Sequence, residues 1–537
     1  MAVSTIATVG DLPEEVLLLV LRFAAGAPAR GLRAWKASFP LLGVCRRWRQ
    51  LAQQLVFRVA HIECRRVRRR GAGTRVLLTN LGLVACHVDS VRQLVLSAVA
   101  GPQLVEQIGS MLSELRQHPG LCAKIRSLTI RGSAAAATAG LLEGQAAPAV
   151  ESEGFAAVAA ALTAAAPNVT QVRIGAGADA RVSGAIGGLL VDAYACQLRH
   201  IECPAPVALA QPGLSATLTH LSITLGAGPA SRLPRVCAAS LQVLRLDGVP
   251  PGFSWASAFG DSDTRSAAVC FSSLVELCLC YGTARGRSVC APRTKATAAD
   301  DVTLRFPQLR RCKIDGCQPH GGPFAAVQLP PTVDCLSFAG RAETALALSR
   351  AGVERAGTVR VRVSLEDGRD SMEAFCSATN YWFGRVAVRC EAALELHLHR
   401  ATLDARQIEW PRMTQLSIHG PCALDAVARI AQRAEALRRL EVYELSVGSL
   451  VDDAATPGPD DVPLPELRTS IETLTLHSAA DEPCSPQVTG AIRCLLLRLR
   501  LLTRANLSTS FGVHASDLRR RFGQPYPHVE AMTIKTY

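Results

Sequence analysis

Apolar residues recur along most of this chain in one short pattern, apolar-x-x-apolar-x-apolar, from about residue 88 onward. In such a strand the middle and last apolar positions point into a core, and the polar residues between them point outward. Several runs are followed within two residues by glycine, which indicates a turn. The runs are Val91-Leu94-Leu96, Ile125-Leu128-Ile130, Val169-Val172-Ile174, Leu198-Ile201-Cys203, Leu218-Leu221-Ile223, Leu241-Leu244-Leu246, Leu274-Leu277-Leu279, Leu309-Cys312-Ile314, Val333-Leu336-Phe338, Ala393-Leu396-Leu398, Met413-Leu416-Ile418, Leu437-Leu440-Val442, Ile471-Leu474-Leu476 and Val529-Met532-Ile534.

Amphipathic helices are predicted between some of these strands, at Gln103–Gln117, Gly154–Ala165 and Leu424–Leu437. The runs repeat every roughly 20–35 residues, the range of strand-plus-helix solenoid units. We therefore predict an α/β fold over residues 88–537, an irregular solenoid with a curved parallel sheet and an exposed inner face. Leu495–Leu507 reads equally well as a repeat or as a long helix. Loop insertions are expected at 133–154, 283–301 and 452–465.

The first 58 residues have a different, helical pattern. Asp11 can cap a helix with Pro13 just inside its start, and apolar residues then recur on one helical face. A second apolar stretch runs from Trp35 to Leu42, and a third from Val44 to Phe57. Three short helices bury little surface, so this module needs a partner or a neighbouring domain. We assign 1–10 to a tail and 11–58 to a small helical domain.

Composition fits this reading. Hydrophobic residues make up 49% of the 537 residues and aromatic residues only 5%, which predicts a core mainly of Leu, Val, Ile and Ala. The formal net charge of +13 is spread along the chain, so nucleic acid is an unlikely partner on charge alone. The run Arg65–Arg70 lies in a segment, 59–87, that we interpret as a basic linker or a first irregular unit. A nuclear-import or nucleic-acid patch is the alternative for this run.

The cysteines indicate a reducing compartment. The chain has 19 cysteines, no basic signal-peptide start, and no charge-free apolar run of about 18 residues. We therefore expect a cytoplasmic or nuclear protein without a membrane partner, whose cysteines are reduced and buried. Cys278 and Cys280 share one strand face and are expected to pack in the core.

No sequence motif for catalysis stands out. The chain lacks a phosphate-binding Gly-x-x-x-x-Gly-Lys loop, a third glycine beside Gly175 and Gly177, and a Gly-x-Ser-x-Gly elbow. His397 and His399 are two apart on one strand, and we interpret them as surface histidines because no further Cys or His completes a metal site. We expect no catalytic residue, cofactor or metal.

The N-terminal segment resembles the F-box family. The matching blocks are Leu12-Pro13-x-Glu15-Val16-Leu17-x-x-Val20-Leu21 and Val44-Cys45-Arg46-Arg47-Trp48-Arg49-x-Leu51, with a longer spacer between them than is usual. The resemblance implies that this segment docks on the adaptor of an SCF-type ubiquitin ligase and, through it, on a cullin. The implied adaptor-binding residues are Leu12, Pro13, Val16, Leu17, Val20, Leu21, Val44, Cys45, Trp48 and Leu51.

The remaining chain resembles the leucine-rich repeats that often follow an F-box. The match is irregular, because the Asn or Cys expected after the third apolar position is present at Cys317 but rarely elsewhere. The resemblance implies a non-catalytic, substrate-recruiting subunit whose repeats hold a target protein. The outward positions of the earlier runs are net basic, which favours an acidic target; a merely solvated face is the alternative. The predicted target-binding residues are Arg173, Arg199, His220, Arg245, Arg310 and Lys313. A repeat scaffold with no ubiquitin role is the competing interpretation.

Overall fold

The computed structural model divides the chain into two compact units, Met1–Asp247 and Gly248–Tyr537. The predicted tail, nearly all of the F-box segment, and the insertions at 283–301 and 452–465 lie outside the described residues. The structure describes residues 57–69, 72–98, 104–132, 150–175, 180–204, 217–225, 235–249, 269–281, 304–316, 327–366, 369–387, 391–399, 403, 407–446, 470–478, 496, 499, 501–509 and 531–536.

The first unit contains a mostly parallel sheet with the strand order β2-β1-β3-β4-β5-β6-β7-β8. The strands are β1 (Val59–Arg69), β2 (Ala72–Thr79), β3 (Gln93–Ala98), β4 (Ser127–Gly132), β5 (Gln171–Ile174), β6 (His200–Cys203), β7 (His220–Thr224) and β8 (Val243–Val249). β1 and β2 form an antiparallel hairpin, and β1 then pairs in parallel with β3. Segment 59–87 therefore contributes strands to the sheet.

Helices connect several of these strands, as parallel strands require. They are α1 (Leu81–Ala85), α2 (Leu104–Arg116), α3 (Pro119–Cys122), α4 (Val150–Ala165) and α5 (Ala180–Tyr194). Helix α4 begins four residues before the predicted Gly154, inside the range predicted as a loop. The buried Tyr194 hydroxyl lies 3.1 Å from the carbonyl oxygen of Leu162 and 3.0 Å from that of Ala166, which ties α5 to the end of α4.

The second unit repeats this organisation. Its strands are β9 (Val269–Cys270), β10 (Glu276–Tyr281), β11 (Leu304–Arg305), β12 (Arg311–Asp315), β13 (Val327–Gln328), β14 (Thr332–Arg341), β15 (Arg355–Glu366), β16 (Ala392–His399), β17 (Gln415–Ala423), β18 (Arg439–Ser446), β19 (Thr473–Ser478), β20 (Arg504–Thr509) and β21 (Ala531–Thr536). The main sheet runs β10-β12-β14-β15-β16-β17-β18-β19-β20-β21, all parallel, and β13-β11-β9 form a small second sheet.

Three helices are described in the second unit, α6 (Ala342–Ser349), α7 (Arg369–Tyr381) and α8 (Leu424–Arg433), with a π-helical turn at Trp382–Val386. Aromatic side chains pack here despite their scarcity in the sequence. The buried ring of Trp410 makes edge-on contacts with Phe375 and Phe383, at centroid distances of 5.9 Å and 6.2 Å. No helix in the described parts of the chain is long and apolar enough to span a membrane.

The apolar pattern accounts for the strands. In every predicted run the middle and last apolar residues lie in a strand, and the α/β class with a mostly parallel sheet is confirmed. The paired residues Leu94, Leu128 and Val172 are buried on adjacent strands, as the pattern predicts. Because side chains alternate between the two faces of a strand, the polar residues between them form rows on the other face.

Three expectations are wrong. The cysteines are not all buried, since Cys86, Cys196 and Cys270 are exposed. Cys278 and Cys280 lie on the outward face of β10, half-buried with their Sγ atoms 3.9 Å apart, because Leu277 and Leu279 occupy the core side of that strand. The long-helix reading of Leu495–Leu507 also fails at its end, since β20 pairs there with β19.

Candidate functional site

The predicted adaptor-binding residues all lie within residues 12–51, outside the described part of the chain. The predicted target-binding residues are described. Arg173, His220 and Arg245 lie on strands of the first unit, whereas Arg199 directly precedes β6. In the second unit, Lys313 lies on β12 and Arg310 just before it. The structure therefore places four of these side chains on strand faces and two at the turns leading into strands.

Arg173 and Arg245 belong to one row on the outward face of β5–β8. The strand register aligns Arg173 with Glu202, then with Ser222 and Arg245. Arg173 Nε lies 3.4 Å from Glu202 Oε2. The neighbouring His200 side chain, whose Nε2 lies 3.8 Å from Glu202 Oε2, lowers the pKa of Glu202 below its usual value, and the positive charges of Arg173 and Arg245 lower it further although burial opposes this. The carboxylate is thus ionised at neutral pH and offsets part of the basic charge of the row.

His220 makes contacts within the same face. Its ring stacks on that of His200 with a centroid distance of 5.2 Å, and its Nδ1 lies 2.9 Å from Thr219 Oγ1. In the second unit, Nζ of Lys313 lies 3.8 Å from Asp315 Oδ2. Carboxylates thus accompany both the Arg173 row and Lys313, so these faces carry mixed charge rather than a uniformly basic surface.

A line of stacked rings crosses the outward face of β16–β19. The ring of His397 stacks on His419 at 4.4 Å, His419 on Tyr443 at 4.1 Å, and Tyr443 on His477 at 4.8 Å, measured between centroids. The interplanar angles are 6°, 12° and 4°. We call these four residues the ring ladder. It exists because parallel strands roughly 4.8 Å apart place equivalent side chains at stacking distance.

Two carboxylates lie beside the ring ladder, and each is held by an arginine. Glu395 accepts a hydrogen bond of 2.7 Å from Arg362 Nε, and Glu441 accepts one of 2.6 Å from Arg439. Glu441 also accepts hydrogen bonds from Ser417 at 3.0 Å and from the hydroxyl of Tyr443 at 3.3 Å. Burial alone would raise the pKa of Glu441, but the bonds from Arg439 and Ser417 hold it below its usual value.

Sequence reasoning missed the ring ladder because the apolar pattern does not set the register of β16 against β17. Taking the last positions of the two runs as equivalent would pair Leu398 with Ile418. In the structure Leu396 pairs with Ile418, a shift of two residues that brings His397 beside His419. The sequence does contain a signal for this register. Leu394, Leu396 and Leu398 alternate along β16, so Leu394 and Leu396 can take the middle and last positions of the run and pair with Leu416 and Ile418.

No protein-family profile matches the chain, and no curated protein is significantly similar to it in sequence. A functional argument therefore depends on the chain's own residues and their geometry.

The outward face of the second unit is open and polar. A groove of about 650 Å³ lies beside the first residues of β17–β19. Its lining carries both charge signs: it includes Glu391, which accepts a 2.7 Å hydrogen bond from Arg360 outside the groove, and Arg438, which lies 3.9 Å from Glu472. The groove therefore presents side chains of both charge signs to solvent.

Proposed function

We propose that this protein is the substrate-recognition subunit of an SCF-type ubiquitin ligase. Residues 11–58 dock on the adaptor, and the outward faces of the parallel strands bind a target protein. The chain then acts by holding the target near a ubiquitin-conjugating enzyme, which enhances the reaction through proximity.

The observation that carries the target-binding half is the alignment of polar side chains on consecutive parallel strands. The row from Arg173 to Arg245 crosses three strand spacings, roughly 14 Å, and presents side chains at regular intervals. Regular stacking of strand-containing units is how repeat proteins form extended binding surfaces. The adaptor-binding half is supported by the sequence blocks around Leu17 and Trp48.

The test is a binding assay of the purified full chain against the SCF adaptor. The wild type should form a complex, and a Leu17→Asp, Trp48→Ala double variant should not. Leu83→Asp is the matched control, because Leu83 is 53% exposed on α1 and the same change of residue there should leave adaptor binding intact. Circular dichroism of all three proteins checks that each is folded.

Failure of the folded wild type to bind the adaptor would overturn the ligase proposal. The competing function would then be a protein-interaction scaffold whose N-terminal helices cap the strands. The same polar rows would serve it, so the adaptor assay is the measurement that separates the two functions.

A further inference from the structure

Glu395, His397 and His419 place three potential metal-binding atoms close together on the outward face of β16 and β17. Glu395 Oε1 lies 2.9 Å from His397 Nε2 and 3.7 Å from His419 Nε2. The three atoms all lie within 4.8 Å of one another. Each side chain is about 30% exposed, so the cluster is reachable from solvent but partly sheltered by its neighbours.

We propose that this cluster binds one divalent transition-metal ion of the zinc class. Two imidazole nitrogens and one carboxylate oxygen form a donor set that zinc accepts in proteins, with a fourth position left for water or a ligand. Bond lengths of about 2.0–2.2 Å in a tetrahedral site separate ligand atoms by roughly 3.4 Å. The observed separations from Glu395 Oε1 bracket that value, so the carboxylate oxygen already lies at a suitable distance from each imidazole nitrogen. The inference is independent of the ubiquitin ligase proposal.

Arg362 orients the Glu395 carboxylate for metal binding. It donates to Oε2 of Glu395 at 2.7 Å, which fixes the carboxylate and leaves Oε1 directed at the two imidazoles. Outer partners that orient a ligand in this way are common at metal sites. Burial alone would raise the pKa of Glu395, but the hydrogen bonds from Arg362 and His397 keep it below its usual value. The carboxylate is therefore an anionic ligand at neutral pH.

The protonation state of His419 also suits a metal. Burial lowers the pKa of His419 below the usual histidine value, which favours the neutral imidazole that metal binding requires.

The ring ladder imposes a condition on binding. The imidazole rings of His397 and His419 are nearly parallel, and their in-plane lone pairs do not converge on one point. One ring must therefore rotate before both nitrogens reach the same ion. His419 is held on its other face by Tyr443 at 4.1 Å, so His397, at the end of the ladder, is the ring that rotates. Metal binding and the His397–His419 stack are then mutually exclusive.

The experiment is a calorimetric titration of Zn²⁺ into chelator-treated full chain. Cysteine thiolates are the competing ligands, because Cys86, Cys196 and Cys270 are exposed. The informative quantity is therefore the difference between wild type and variants. His397→Phe and His419→Phe keep a ring that stacks but remove the ligand, and Glu395→Gln removes the charge with little change in shape. Each should bind one equivalent fewer than wild type.

His399→Phe is the matched control, since His399 is exposed on the same strand and face but lies outside the cluster. It should bind as wild type does. A parallel titration with Co²⁺ reports the ligand type, because only thiolate ligation gives an intense sulfur-to-cobalt charge-transfer band. The difference spectrum between wild type and His397→Phe should lack that band.

Identical stoichiometry in wild type, His397→Phe and Glu395→Gln would overturn the proposal, as would loss of binding in His399→Phe to the same extent. Thermal unfolding without metal verifies that the variants are folded. Should His397→Phe fail this check, Glu395→Gln decides, since it preserves the rings entirely.

Discussion

The side-chain Oδ1 of Asn80 lies 2.7 Å from the backbone nitrogen of His61 and accepts its hydrogen. The same side chain donates through Nδ2 to the carbonyl oxygen of Val59 at 3.0 Å, and the Asn80 backbone nitrogen donates to the His61 carbonyl oxygen at 3.2 Å. Asn80 is only 2% exposed. Asn80, directly after β2, therefore ties the end of β2 to the first residues of β1 at the open end of the hairpin.

Replacing Asn80 with alanine should destabilise the first unit. The change removes the acceptor of the buried His61 N–H and the side-chain donor to the Val59 carbonyl oxygen. Each buried polar group left unsatisfied costs about 1–3 kcal/mol. We expect a loss of roughly 2–4 kcal/mol in the free energy of unfolding, measured by urea denaturation. Asn506→Ala is the control, because Asn506 is exposed and its side chain makes one long bond of 3.4 Å to Thr475. An equal loss in both variants would refute this role for Asn80.

His61 should make the stability of the protein sensitive to acid. Burial lowers the pKa of this histidine from 6.5 to about 4, with Arg131 adding to the shift and Glu63 opposing it. As the pH falls below 6.5, the unfolded chain binds a proton at this residue that the folded chain does not. The free energy of unfolding should therefore decrease by about 1.4 kcal/mol per pH unit down to pH about 4.

The comparison that isolates this effect uses His61→Leu, which removes the titrating group. Subtracting its urea-denaturation profile between pH 7 and pH 4.5 from that of wild type cancels the carboxylates common to both. A difference that stays constant over this range would show that His61 is not held neutral by burial.

The sequence predicts the strands well because burial on one face of a strand requires apolar residues at alternate positions. It predicts their pairing less well, since the pattern does not specify which residues of adjacent strands meet. Pairing Leu398 with Ile418 by their positions in the runs would hide the contact of His397 with His419. Arg362 was missed because no run was assigned in β15, although Ala356-Val359-Val361 fits the three-position pattern.

The hairpin of β1 and β2 shows a second limit. Arginine-rich segments are usually solvated, so Arg65–Arg70 favoured a linker on composition. The backbone of β1 nevertheless pairs with β2 over Ile62–Arg69 and with β3 over Val59–Glu63. Backbone hydrogen bonds do not depend on side-chain polarity, so charge patterning alone could not identify this strand.

A glycine turn shapes the ring ladder and provides a test of it. Gly420 directly follows His419 and has a φ of +113°, at the register shift between β17 and β18. A Cβ at this position would lie 2.5 Å from the carbonyl oxygen of Leu398. Gly420→Ala should therefore cost at least about 2 kcal/mol of stability. Gly109→Ala is the opposite case: nothing lies within 4 Å of its Cβ in the middle of α2, so a gain of roughly 0.5–1 kcal/mol is expected.

Thermal unfolding measures both effects: the melting temperature should fall in Gly420→Ala and rise in Gly109→Ala. A neutral effect of alanine at position 420 would mean that β17 does not need the left-handed turn after His419, and the register that forms the ring ladder would lose its support.

The last prediction concerns the acidic target. If the outward row of β5–β8 binds acidic protein, reversing Arg173 and Arg245 to glutamate should abolish binding to a simple acidic probe, poly-glutamate. Glu202 already neutralises part of the row, so Glu202→Gln should strengthen that binding by releasing the positive charge of both arginines.

The double reversal of Arg173 and Arg245 changes the net charge by −4, which alone weakens any electrostatic binding. Arg116→Glu, at an exposed position on α2, measures this general effect per residue. Retention of the wild-type protein on immobilised poly-glutamate, followed as salt is increased, gives the order of the variants. A double variant that elutes at the salt concentration extrapolated from Arg116→Glu would show that the row is only a solvated face.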